Sequence, residues 1–73
     1  MIEVRLFATF REGRGKILHF EEEACKTGLD ILREVDIPQE EVAIFLINGR
    51  HRKPEDLVKE GDVIAIFPPV GGG

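Results

Sequence analysis

A chain of 73 residues with a net charge of −4, 42 % hydrophobic and 33 % charged, can bury only about 60 % of the surface it exposes when unfolded. It holds one core, leaves little room for a catalytic cleft, and is too apolar for disorder. One cysteine rules out an internal disulfide, two histidines without a cysteine cluster offer no zinc staple, and the acidic balance argues against a nucleic-acid partner.

Ile2, Val4, Leu6 and Ala8 alternate with Glu3, Arg5, Phe7 and Thr9, the period-two pattern of a strand with one face in the core. Arg11 to Gly15 breaks the pattern and Lys16 to Glu21 resumes it. Residues 2–21 are therefore expected as a hairpin with a loop of about five or six residues. Thr27 followed by Asp30 forms a capping box with Asp in place of Glu. The helix it starts carries Leu29, Ile31, Leu32 and Val35 and runs from Gly28 to about Val35, where Asp36-Ile37-Pro38 stops it.

Val42 to Ile47 is a continuous run of β-formers that meets Asn48-Gly49, the strongest short hairpin signal. The return strand, Arg50 to Lys53, ends at Pro54, and Pro54 to Val58 is expected as a single helical turn. After the polar turn Lys59 to Asp62 comes Val63 to Phe67, apolar on both faces as a central strand should be. Pro68-Pro69 ends it by removing two ladder donors. The order of elements predicts an α+β roll with one main helix on a mixed sheet, its first and last strands parallel neighbours. That is the β-grasp, or ubiquitin-like, arrangement; a ferredoxin-like fold would need a second full helix. The expected division is a folded body over residues 1–68 and a glycine-rich tail over 69–73.

No apolar run approaches the length of a membrane span, and the N-terminal residues lack a basic region followed by an apolar stretch. A cytoplasmic protein without membrane association is expected. Eight acidic residues between Glu21 and Glu41 contrast with two basic clusters, Arg11, Arg14 and Lys16, and Arg50 to Lys53. The clusters are either solvated turns or surfaces that steer a protein partner.

The chemical candidates are few. Cys25 sits just before a helix N-terminus, where a dipole can lower a thiol pKa, but no partner for it can be argued. His19 and His51 lack a carboxylate constellation that would make a metal site, and Glu21-Glu22-Glu23 is the solvated end of a strand. Gly13-Arg14-Gly15-Lys16 lacks the spacing and the Ser/Thr of a phosphate loop. No catalytic residue and no bound cofactor are expected. Strand alternation puts Phe7, with Phe67 a second candidate, on the sheet face that the helix does not cover, where large apolar groups mark a partner surface. The remaining feature is the run Gly71-Gly72-Gly73, which ends the sequence. Glycines can thread a channel too narrow for other residues, and Pro69 to Gly73, extended, reaches roughly 17 Å.

Val4-Arg5-Leu6-Phe7-Ala8, Ile47-Asn48-Gly49, Glu60-Gly61-Asp62 and the ending Phe67-Pro68-Pro69-Val70-Gly71-Gly72-Gly73 resemble the MoaD/ThiS family of ubiquitin-like sulfur carriers over essentially the whole chain. The ending is most similar to the molybdopterin branch. The resemblance implies that a ubiquitin-activating-like adenylyltransferase, using ATP, adenylates the carboxylate of Gly73, and that sulfur then replaces the adenylate to give a thiocarboxylate. Pro68, Pro69, Val70, Gly71 and Gly72 would carry that group into the large subunit of molybdopterin synthase, a MoaE-like partner, and Phe7 and Phe67 would lie at the interface. The short stretch from Leu29 to Glu41 is closer to the thiamine branch, whose carrier serves thiazole synthase. A protein modifier joined to a target lysine through Gly73 is a third expectation from the same activated carboxylate.

Overall fold

The computed structural model describes residues 1–69. Five strands, β1 (Ile2–Leu6), β2 (Ile17–Phe20), β3 (Ile44–Ile47), β4 (Arg50–His51) and β5 (Val63–Phe67), form one sheet in the order β2-β1-β5-β3-β4, and one helix, α1 (Gly28–Glu34), connects β2 to β3. β5 runs parallel to β1 and antiparallel to β3. The expected β-grasp fold is thus present, with β5 in the central position its two apolar faces require.

Alternation decides which side chains enter the core. Ile2, Val4, Leu6, Phe45, Ile47, Ile64 and Ile66 all point to one face of the sheet and are buried with Ile31 and Leu32 of α1 and Val35 just after it. The helix begins as its sequence predicts. Thr27 Oγ1 accepts from the Asp30 backbone N–H, and the Asp30 carboxylate accepts from the N–H of Thr27 and of Lys26. These bonds and the Arg33 guanidinium hold the Asp30 carboxyl below its ordinary value, the bond from Lys26 contributing most. At Gly28 a Cβ would lie 2.4 Å from Cζ of Phe45 and 2.7 Å from the carbonyl oxygen of Pro54, so only glycine lets the segment after Pro54 close on the helix. Pro54 and Asp56 carbonyls then accept from the Leu29 and Gly28 N–H groups, two of the donors a helix start leaves without partners.

Several expectations are corrected. Ala8 does not continue β1. It turns out of the strand at φ 55 and opens a 3₁₀ turn over Ala8–Arg11 that delivers Phe10 to the core. The hairpin connection accordingly spans residues 7–16, longer than the loop expected. The third strand begins at Ile44, after a 3₁₀ turn over Gln39–Glu41. Pro54 to Val58 is not helical: it makes a turn closed by Asp56 N–H to the Lys53 carbonyl, followed by a bridge between Leu57 and Thr27. Asn48 and Gly49 both have positive φ, 53° and 80°, the type I′ geometry that Asn-Gly supplies.

Candidate functional site

The site is built from the sheet face opposite α1. Because β1 and β5 are parallel with Leu6 opposite Ile66, the next residue of each strand path, Phe7 and Phe67, leaves the sheet on the same side. Their rings stack with centroids 4.2 Å apart and planes within 10°, an arrangement that contributes about 0.5–1.5 kcal/mol beyond area burial. The Arg11 guanidinium lies 5.2 Å from the Phe7 ring centroid and its Nε donates to the Leu6 carbonyl at 2.8 Å, which fixes a cation against the pair. The two phenylalanines singled out from sequence are therefore brought together, both half-buried.

Cross-strand register extends the patch. Ile44 faces Phe67 and Leu46 faces Ala65, so the β3–β5 half of this face is apolar, with Ile44 36 % exposed. The β1–β2 half is charged: Glu3 accepts from Arg5 Nε, and His19 Nε2 stands 3.8 Å from Glu3 Oε1. The Arg5 hydrogen bond holds the Glu3 carboxyl below its ordinary value. At the C-terminal end of β5 the apolar half opens into a groove formed by Phe10, Ile44, Phe67 and Pro68 and edged by Glu40 and Glu41. The Phe67 carbonyl accepts from the Ala43 N–H at 2.9 Å. Pro68 and Pro69 then offer no donor, so pairing stops and the chain departs beside the groove. Val70, Gly71, Gly72 and Gly73 lie outside the described residues.

Other candidates resolve differently. Cys25 is buried with its thiol in the core, and burial, followed by the Glu34 and Asp30 carboxylates, pushes its pKa up. Proximity to the start of α1 does not activate it. Arg14 belongs neither to a phosphate loop nor to a free basic surface. Its guanidinium donates to the Val35 and Asp36 carbonyls at 2.6 and 2.9 Å, closing the C-terminus of α1 from across the molecule. Among the described residues no group of three or more His, Cys, Asp and Glu side chains could hold a metal ion, and no helix is long and apolar enough to cross a membrane. Sequence reasoning missed Phe10, Ile44 and the acidic edge at Glu40 and Glu41. None of these carried a distinct signal: Ile44 lies in the continuous apolar run from Val42 to Ile47, in which no alternation marks one face.

The chain is similar to small archaeal modifier protein 3 of Haloferax volcanii, with 30 % identity over 99 % of this chain and 98 % of that protein. Among solved structures it is similar in fold to SAMP1 from Haloferax volcanii, with a TM-score of 0.76, 22 % identity and coverage of 99 % and 98 % of the two chains. A Pyrococcus furiosus protein assigned as molybdopterin converting factor, subunit 1, gives a TM-score of 0.75 at 24 % identity over 94 % of this chain and 97 % of the other. Both solved structures share the β-grasp fold, and residues 4–73, through the last glycine, match one family. The chain belongs to the ThiS family.

Proposed function

We propose that this protein is a ubiquitin-like modifier whose Gly73 carboxylate is activated and joined to a lysine of a target protein. The family is one of small carrier and modifier proteins rather than enzymes, and the chemistry is accordingly supplied by partners. The carboxylate of Gly73 attacks the α-phosphorus of ATP in an activating enzyme of the ubiquitin type, pyrophosphate leaves, and an acyl-adenylate forms. A lysine amine then attacks the acyl carbon, AMP leaves, and an isopeptide bond remains. The observation that carries this reading is the 30 % identity to small archaeal modifier protein 3 across 99 % of the chain; it moves the modifier ahead of the molybdopterin assignment that the C-terminal motif favours on its own.

The geometry is suited to the role. Pro68 and Pro69, which lead into residues 70–73, follow the central strand beside the Phe7–Phe67 stack and the apolar half of the open face. A partner that grips this patch places the tail in its active site, and residues 1–68 serve as the handle. Phe7 and Phe67 are the contacts at the base, and Pro68 to Gly72 thread the channel.

A second reading is a sulfur carrier, supported by the family match and by the Phe67-Pro68-Pro69-Val70 sequence before the glycines. There the adenylate is displaced by sulfur, and the thiocarboxylate is delivered to a molybdopterin synthase large subunit or to thiazole synthase. Incubation with the activating enzyme and ATP separates the two. The modifier forms covalent adducts with target lysines. The carrier, given a sulfur donor, gains only the mass difference between sulfur and oxygen. A chain lacking Gly72 and Gly73 forms neither product; full function of that truncation would refute both.

A further inference from the structure

A second groove lies at the opposite end of β5 from the tail, about 17 Å away along five strand residues. It is bounded by the β3–β4 hairpin on one side and by the segment from Asp56 to Lys59 on the other. In a protein of net charge −4 this groove gathers four cations, Lys26, Arg50, Arg52 and Lys59. None of the four side chains enters an ion pair among the described residues. The two carboxylates in the same lining are already committed to the fold. Asp56 accepts from the Lys53 N–H at 3.1 Å, and Asp62, 5 % exposed, accepts from Asn48 Nδ2 and from the Lys59 N–H, both at 2.9 Å.

The groove also presents an apolar anchor that the local backbone holds in place. Leu57 is 78 % exposed, more than any other large hydrophobic residue described. Its exposure is built in: Leu57 bridges Thr27, the Val58 N–H donates to the Lys26 carbonyl at 3.0 Å, and Val58 beside it is buried. The segment is pinned to the start of α1 on both sides of the leucine, so the side chain cannot fold inward without breaking these bonds. Ile47 and Val58 add apolar floor.

We propose that this groove docks a short acidic segment of a partner protein, with carboxylates on Arg50, Arg52, Lys26 and Lys59 and one aliphatic or aromatic side chain on Leu57. Charge complementarity selects the acidic chemistry. The apolar anchor and the lack of any aromatic ring in the lining favour a peptide over a nucleic acid, whose bases would need stacking platforms. Since the groove is remote from Pro68 and from the Phe7–Phe67 stack, the segment can be held while the tail occupies another active site. Such a contact would tether a target or an assembling enzyme to the modifier without competing for its tail.

The test uses the isotope-labelled full chain, two-dimensional amide NMR, and a set of synthetic Asp/Glu-rich peptides with a single Leu or Phe placed at each position in turn. The expected result is saturable shifts confined to residues 26, 47–52 and 56–62. Affinity should fall about ten-fold in the R50E/R52E double variant and several-fold when salt is raised from about 0.05 to 0.3 M. Leu57→Ala should weaken binding while leaving the amide spectrum of the folded chain otherwise intact, and removal of Gly72 and Gly73 should leave binding unchanged. The proposal is overturned if no peptide of the set shifts these residues, or if a single-stranded oligonucleotide binds them more tightly than any peptide. Concentration-dependent shifts of the same residues without peptide, with a dimer in sedimentation, would overturn it in favour of a second copy of this chain.

Discussion

Replacing Gly28 by Ala sets helix propensity against packing, and the structure decides the sign. Ala is about 1 kcal/mol better than Gly inside a helix, so propensity alone expects a more stable protein. The added Cβ, however, would sit 2.4 Å from Phe45 Cζ and 2.7 Å from the Pro54 carbonyl oxygen. Ordinary contact begins near 3.4 Å, so the ring must retreat by about 1 Å and the carbonyl by somewhat less. Neither can do so freely. Phe45 is 4 % exposed in the core, and the Pro54 carbonyl accepts from the Leu29 N–H at 2.8 Å. Overpacking of this kind costs about 1–3 kcal/mol, and a weakened hydrogen bond at the helix start about 0.5–1.5 more. After the propensity gain, Gly28→Ala should be destabilised by about 1–3 kcal/mol, a large share of the total for a chain of this size. Urea unfolding followed by circular dichroism should show the midpoint lowered by about 1 M or more at unchanged slope. Combining Gly28→Ala with Phe45→Leu should recover part of the loss, because the two sites share one contact. A midpoint equal to or above that of the parent chain would refute the close-packing account of this glycine.

The capping box makes two further predictions. Thr27→Ala should cost about 1 kcal/mol in the same assay. Asp30 has its pKa lowered on folding, so it stabilises above its unfolded value, near pH 4, and that stability is lost as pH falls through the lower folded value. Asp30→Asn should therefore flatten the decline of stability below about pH 4, and an unchanged acid limb would contradict the bonding described. Cys25, buried with a raised pKa, should resist a thiol reagent at neutral pH until urea unfolds the chain; reaction at the rate of a free thiol would refute its burial. Phe7→Ala and Phe67→Ala should show a coupling of about 0.5–1.5 kcal/mol in a double-mutant cycle, and each should slow adenylate formation by the activating enzyme while leaving the amide spectrum folded. Additive effects, or normal adenylation, would remove the stack from the partner surface.

What could be read in the sequence was what repeats locally. Ile2, Val4 and Leu6 declare their face by alternation, Thr27 and Asp30 close a bond between near neighbours, and Asn48-Gly49 specifies its own turn. Alternation also put Phe7 on the face away from the helix, but its stacking on Phe67 emerges only once the β1–β5 register is known. The contacts that escaped come from irregular segments reaching across the molecule. Phe10 enters the core only because Ala8 departs from strand geometry, which no period announces. Arg14 was grouped with a basic loop, yet it closes a helix more than twenty residues away. Asp62 resembled an ordinary turn residue until Asn48 was placed beside it by the β3–β5 register. Leu57 belonged to an expected helical turn, and its exposure follows from the bridge to Thr27 that replaces that turn. The motifs left the pathway open, because a modifier and a sulfur carrier would use the same terminal glycine; what supports the reading proposed above is likeness over the whole chain to a small archaeal modifier protein.

The central claim is that Gly73 becomes bonded to lysines of other proteins. No Lys or Arg follows Lys59, so trypsin leaves the whole segment from Glu60 to Gly73 on any modified lysine, a remnant long enough to be recognised by mass spectrometry. In cells expressing the tagged chain, the account predicts target lysines bearing this remnant, and none when Gly72 and Gly73 are deleted. Absence of the remnant from every lysine, while the intact chain accumulates with sulfur in place of one terminal oxygen, would contradict it and establish the sulfur carrier instead.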